Sequence, residues 1–188
     1  ASPAPRLLLY VGRFDPYKNV PLLVRAFAAL RRDAFPDLRL RIIGPLDARY
    51  PEAHDLARER GIHGAIDWCG YVDGAELARA YGEAAVLVQP SRYEGFGLPV
   101  LEAMSAGLPV VCTRAGALPE VVGEAAVVVE PDDDRALADA ITRVLTDTED
   151  RARLREAGLE RVKQFTWERT ARATLAAYRR AAELGHST

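Results

Sequence analysis

The sequence has 188 residues, within the rough scale of about 100–200 residues for one ordinary domain. Its 49% hydrophobic and 28% charged residues describe a soluble globular chain rather than a disordered or fibrous one. A formal net charge of −2 offers no basic field for nucleic acid, and the longest apolar runs, such as 125–129 (AAVVV), fall far short of the roughly 18–20 residues of a membrane span.

The chain opens on Ser-Pro-Ala-Pro, so residues 1–6 read as the remnant of a linker. No charged segment followed by an apolar one is present there, which argues against a signal peptide. Strands are then predicted at 7–11 (LLLYV), 39–43 (RLRII), 65–69 (AIDWC), 85–89 (AVLVQ), 109–113 (PVVCT) and 125–129. Helical patterns fall between them at 20–32, 51–60, 74–83, 98–106 and 117–122. Near-continuous apolar strands separated by amphipathic helices imply an α/β domain, Rossmann-like, with a doubly wound parallel sheet covered on both faces. After the last strand the chain turns helical, at 133–146, 148–164 and 167–183. Asp132 to Asp134 suit a cap for the first of these helices and Thr166 a cap for the last. Arginines interleave with acids in 148–163, as on a solvated helix face. Leu175, Tyr178 and Ala182 form one apolar stripe, expected to pack on the sheet domain or on a partner domain. The domain is therefore drawn over 7–165, with a terminal helical piece over 166–188.

Cys69 and Cys112 sit in apolar strands and read as small buried hydrophobes, consistent with a cytoplasmic location. With His54, His63 and His186 scattered, no spacing suits a structural zinc site.

Open α/β sheets bind ligands at the carboxyl ends of their strands, so the loops there carry the chemistry. After 7–11 comes Gly12-Arg13-Phe14-Asp15-Pro16-Tyr17-Lys18-Asn19. Arg13 and Lys18 are the two fixed cations that a diphosphate leaving group needs, and Gly12 permits a close backbone turn. An exposed basic loop would carry the same letters. The dinucleotide pattern GxGxxG is absent, which disfavours a nicotinamide-dependent dehydrogenase.

The stretch 90–104 (PSRYEGFGLPVLEAM) is more specific. Gly95 and Gly97 let the backbone approach a ligand, and Pro99 suits the first turn of a helix. Amides around Gly97 and Leu98 then form a positive helix head for phosphate or sugar oxygens. Glu94 precedes that helix and Glu102 lies about one turn inside it, two carboxylates able to accept bonds from neighbouring hydroxyls.

At this point the sequence resembles the retaining GT-B glycosyltransferases of family 4, in their C-terminal donor-binding half. Residues 94–102 (EGFGLPVLE) match that family's Glu-x7-Glu signature. GRFDPYKNVPLLVRAFAAL, LRLRIIGP, AMSAGLPVVCTRAGALPEVVG and FTWERTA resemble its other ordered segments, so the likeness covers nearly the whole chain.

The resemblance implies that Arg13 and Lys18 hold the donor's diphosphate and assist its departure. Glu94 would contact hydroxyls of the transferred sugar and Glu102 the ribose diol. Amides of Phe96, Gly97 and Leu98 would hold sugar and phosphate oxygens, with Gly12 and Gly95 giving close backbone approach. The turn carrying Tyr71 and Val72 would lie near the base; a packed strand end is the alternative for those two.

It further implies a GDP- or UDP-hexose donor, with a lean toward mannose from GDP-mannose. It implies a glycan or lipid-linked acceptor, no cofactor and no metal. Asp132-Asp133-Asp134 opens a helix rather than forming a metal-binding strand end. Family members carry an N-terminal Rossmann-like domain for the acceptor, which this sequence lacks, so the isolated piece is expected to be inactive alone and the full-length protein peripheral to the inner face of a membrane. A GT-B epimerase or hydrolase half, or a non-catalytic nucleotide-sugar module, stands as the alternative.

Overall fold

The computed structural model describes residues 7–185, so the linker reading of 1–6 lies outside the described residues. Among the described residues, six strands pair in one parallel sheet: β1 (Leu7–Val11), β2 (Arg39–Ile43), β3 (Ile66–Cys69), β4 (Val86–Gln89), β5 (Val110–Thr113) and β6 (Val127–Val129). Their spatial order is β3-β2-β1-β4-β5-β6, every neighbouring pair parallel. The helices are α1 (Val20–Asp33), α2 (Glu52–Glu59), α3 (Gly74–Glu83), α4 (Leu98–Ser105), α5 (Leu118–Val122), α6 (Asp134–Thr146), α7 (Thr148–Val162) and α8 (Trp167–Gly185).

The sheet is buried on both faces, which is why its strands read as unbroken apolar runs. Successive side chains alternate between faces. Leu8 and Tyr10 of β1 pack with Leu22, Leu23 and Phe27 of α1 and Ile141 of α6. Leu9 between them faces Tyr81 of α3, Met104 of α4 and Leu118 of α5. All of these side chains are buried. Fully burying one Leu or Phe contributes about 1.5–3 kcal/mol, so two such layers supply the driving force for the fold.

Most element ends lie within a residue or two of their sequence-predicted positions. β6 is the shortest strand, with Ala125 and Ala126 left outside it, as suits the edge of a sheet. Two 3-10 turns were not foreseen, Pro16–Lys18 and His63–Ala65. Asp133 caps α6 by accepting from the Ala136 amide at 2.8 Å, and Thr166 Oγ1 accepts from the Arg169 amide at 3.2 Å at the head of α8. Cys112 is buried as expected, and burial pushes its thiol up to about 12. Cys69 is only half-buried, because β3 is the opposite edge strand. Asp150, read as solvated, is buried between Arg143 and Arg153, at 2.8 and 2.6 Å. The two scattered histidines of the described chain converge on Trp68. His54 stacks on its ring at 3.6 Å and His63 lies 5.7 Å away, centroid to centroid.

Side chains of residues 166–183 are exposed, Trp167, Leu175 and Tyr178 among them. Leu175 and Tyr178 of the apolar stripe of α8 are thus open on this chain. No helix of the described residues is long and apolar enough to cross a membrane.

The strand ends are held by backbone contact. The Gly12 amide donates to Ile43 O at 2.9 Å, and a Cβ at Gly44 would stand 1.8 Å from Gly12 O. No side chain fits there. We expect Gly44→Ala to destabilise the domain by about 2–3 kcal/mol, read as a lower midpoint in denaturant unfolding.

Candidate functional site

In the order β3-β2-β1-β4-β5-β6 the direction of winding reverses between β1 and β4. Loops leaving the carboxyl ends of these two strands diverge to opposite faces and leave a crevice between them. The loop after β1 carries Arg13 and Lys18; the loop after β4 carries Glu94 and runs into α4. The strand order alone brings residues separated by 76 positions into contact.

Lys18 Nζ lies 2.8 Å from Glu94 Oε1 and 2.9 Å from Oε2, so the ammonium spans both carboxylate oxygens. The lysine is placed by the 3-10 turn, which opens on Pro16 with its fixed φ and ends at Asn19 in the left-handed region. The glutamate is placed by its neighbours. Gln89 Nε2 and Ser91 Oγ donate to Oε1 at 2.7 and 2.9 Å, and Thr113 Oγ1 donates to the Ser91 carbonyl from β5. The Ala117 amide donates to the Glu94 carbonyl at 2.9 Å. At Gly116, φ is +53° and a Cβ would stand 2.2 Å from that same carbonyl. Glu94 is thus buried, charged and held by side chain and backbone alike, 6% exposed.

The other sequence-predicted residues surround this pair at different depths. Arg13 sits on the same loop but is turned to Asp15, Nε to Oδ2 2.9 Å, with its side chain 62% exposed. Its carbonyl accepts the Tyr10 hydroxyl at 2.6 Å, and Tyr10 is itself buried beneath the loop. Gly12 ends β1 against β2, as described. Gly97 caps α4 in the left-handed region, Leu98 and Pro99 begin that helix, and the exposed Gly95 and Phe96 form its approach. Glu102 lies on the exposed side of α4 and accepts the Tyr81 hydroxyl at 2.7 Å. Burial, then the bond to Glu102, pushes the Tyr81 hydroxyl well above its ordinary range, so it remains a donor to that carboxylate. A cleft of about 300 Å³ beside Glu102 is lined by Phe96, Leu98, Leu101, Phe165 and Trp167. Tyr71 and Val72 follow the end of β3, Tyr71 almost wholly exposed and Val72 half-buried. They do not touch the Lys18–Glu94 pair.

Sequence reasoning missed Gln89, Ser91 and Tyr81. One signal was available: a glutamine ending an otherwise apolar, buried strand needs a polar partner. Which partner it has depends on how the loop after β4 folds back, and that is not a property of sequence spacing.

This is the Rossmann-like α/β arrangement of the GT-B glycosyltransferases. The domain superposes on sucrose-phosphate synthase from Thermosynechococcus elongatus with a TM-score of 0.84 and 34% identity, covering 95% of this chain and 46% of that one. Residues 2–161 match the family glycosyl transferases group 1, and the chain belongs to that family. It is 38% identical over 171 residues to the O-antigen chain mannosyltransferase B of Escherichia coli, covering 91% of this chain and 45% of the relative. It is also 38% identical over 191 residues to a D-inositol 3-phosphate glycosyltransferase from a Nocardioides species, covering 93% and 42%. The chain thus spans under half the length of the curated relatives it matches.

A buried carboxylate deprived of its cation is expensive, about 3–5 kcal/mol when one partner of a buried pair is removed. Lys18→Met should therefore destabilise the domain by about that amount in chemical denaturation. Adding Glu94→Gln, which removes the orphaned charge, should recover most of the loss.

Proposed function

We propose that this chain is the donor-binding half of a retaining glycosyltransferase of family 4, and that the whole protein moves mannose from GDP-mannose onto a glycan or lipid-linked acceptor. The observation that carries this reading is the buried Lys18–Glu94 pair at the switch point between β1 and β4, beside the glycine-capped head of α4.

The leaving group gains negative charge as the bond between diphosphate and sugar breaks. Fixed cations and helix-head amides lower the energy of that charge more than they favour the bound donor. Lys18 is pre-positioned for this role by its turn and by Glu94. Arg13, solvent-facing on the same loop, reaches the diphosphate by leaving Asp15. Once Lys18 turns to phosphate, Glu94 takes sugar hydroxyls as donors in its place. Glu102, held by Tyr81, takes the ribose diol. The amides around Phe96, Gly97 and Leu98 bind sugar and phosphate oxygens, and the turn at Tyr71 and Val72 lies toward the base. Glu94 and Glu102 position the donor, with neither acting as a nucleophile. The acceptor oxygen enters on the face that the diphosphate leaves.

Catalysis needs no metal in this reading, since Lys18 and Arg13 supply the counter-charge. The run Asp132-Asp133-Asp134 supports this: Asp132 pairs with Arg92, Asp133 caps α6 and Asp134 faces Arg25 at 3.8 Å. The exposed stripe of α8 packs against an N-terminal acceptor domain, and the whole protein works in the cytoplasm at the inner face of a membrane.

The mannosyl donor is supported by likeness to a protein named as a mannosyltransferase; calorimetric titration with GDP, UDP and ADP tests it. GDP should bind most tightly; preference for UDP or ADP would overturn the donor, and binding of none by the full-length protein would overturn the site. In that protein Lys18→Ala and Arg13→Ala should each lower kcat about tenfold or more, the equivalent of about 1.4 kcal/mol. Transfer should continue in EDTA at its ordinary rate, and a strict requirement for a divalent ion would overturn the metal-free mechanism.

A further inference from the structure

Lys18 and Glu94 stand on loops that leave different strands, so something must set the separation of those loops. A third loop contacts both. Asp132, between β6 and α6, accepts from Asn19 Nδ2 at 2.9 Å through Oδ1. The same carboxylate accepts from Arg92 Nε at 2.9 and 3.0 Å, and Arg92 Nη2 lies 2.7 Å from Oδ1. Asn19 directly follows Lys18, and Arg92 lies two residues before Glu94. Arg92 also binds the lysine's turn itself, its amide donating to Tyr17 O at 2.7 Å and its Nη1 to Pro16 O at 3.3 Å.

Two backbone outliers coincide with this node. Among the described residues, the non-glycine positions with positive φ are Asn19 at 53° and Asp132 at 64°, and these two side chains are bonded to each other. A left-handed backbone costs free energy at any residue with a Cβ, and persists where surrounding contacts over-determine it. Both outliers here face one hydrogen bond that joins residues 113 positions apart. The Arg92 guanidinium, more than the Asn19 amide, holds the Asp132 carboxyl below the usual carboxylate range, which keeps it an acceptor.

We propose that Asp132 is a positioning residue, fixing where Lys18 meets Glu94 by tying Asn19 on one loop to Arg92 on the other. For catalysis this rests on the reading that Lys18 stabilises a departing diphosphate; for geometry it stands alone. Asp132 touches no reacting atom. Its effect is on the aim of Lys18, which matters most when charge is fully developed on the leaving group.

The test uses Asp132→Gly in the full-length protein, since glycine keeps the left-handed backbone and deletes only the carboxylate. The expected result is a kcat lower by about tenfold or more with donor KM changed by less than about threefold. Asp132→Asn, which keeps an oxygen for Arg92 and Asn19, should recover most of the rate. Asn19→Gly should reproduce the loss, and the double variant should lose no more than either single one. In a crystal structure of Asp132→Gly, Lys18 Nζ should stand beyond the roughly 4 Å of an ion pair from the Glu94 carboxylate. Should Asp132→Gly fail to fold, Arg92→Gln on the exposed side of the node takes its place with the same expectations.

An unchanged kcat beside a Lys18→Ala variant that has lost activity would overturn the proposal and leave the donor-site reading intact. If Lys18→Ala is itself fully active, the donor-site reading fails, and the crystallographic separation decides the proposal alone. A Lys18–Glu94 contact unmoved in that structure would overturn it.

Discussion

A carboxylate buried between two loops is tolerated only if its charge is answered, and that of Glu94 is answered by three side chains. Lys18 supplies the countercharge, Gln89 and Ser91 supply neutral donors, and the backbone of Gly116 and Ala117 grips the same residue's carbonyl. Gln89 and Ser91 come from the glutamate's own strand end and loop, but Lys18 arrives from the loop after β1 and Ala117 from beyond β5, so the site forms only when β1, β4 and β5 lie side by side. Desolvation makes the arrangement all-or-none: with one partner missing, the remaining charge is more costly than no charge at all. The geometry of the site is therefore bound to the integrity of the sheet beneath it.

Around this fixed centre lies a gradient from rigid to free. Tyr10 and Tyr81 are buried and each directs a hydroxyl at a group above it, the Arg13 carbonyl and the Glu102 carboxylate. Arg13, Phe96 and Tyr71 by contrast reach into solvent. Such a division suits a ligand-binding face in which the groups that must be aimed are held from below and others are left open to solvent.

The chain also presents surface that its own core does not cover. Exposed Trp167, Leu175 and Tyr178 on α8, and the cleft between Phe96 and Trp167, lie outside the two packed layers. This chain covers 45% and 42% of two of the relatives it matches. The names of those relatives differ, while the matched domain is common to them.

Much of this was legible before any coordinates. Apolar runs of strand length alternating with amphipathic segments already define a two-faced parallel sheet, because burial on both sides demands continuous apolarity and leaves no polar alternation to read. The glycines and proline of 95–99 mark a turn into a helix head through backbone rules that act within a few residues, and Glu94 and Glu102 are placed relative to that helix by its pitch. What the letters could not decide is who meets whom across the sheet. Lys18 and Arg13 look equivalent in the sequence, yet one turns inward to Glu94 and the other outward to Asp15. Asp132, Asp133 and Asp134 look like one acidic run, yet the first braces two loops and the second caps a helix. Gln89 and Tyr81 read as the ends of a strand and a helix, yet each holds a carboxylate. Local conformational preferences act over a few residues and are written in order along the chain. Contacts between loops depend on strand order and on the rotation of each side chain, and those are settled only when the sheet has closed around them.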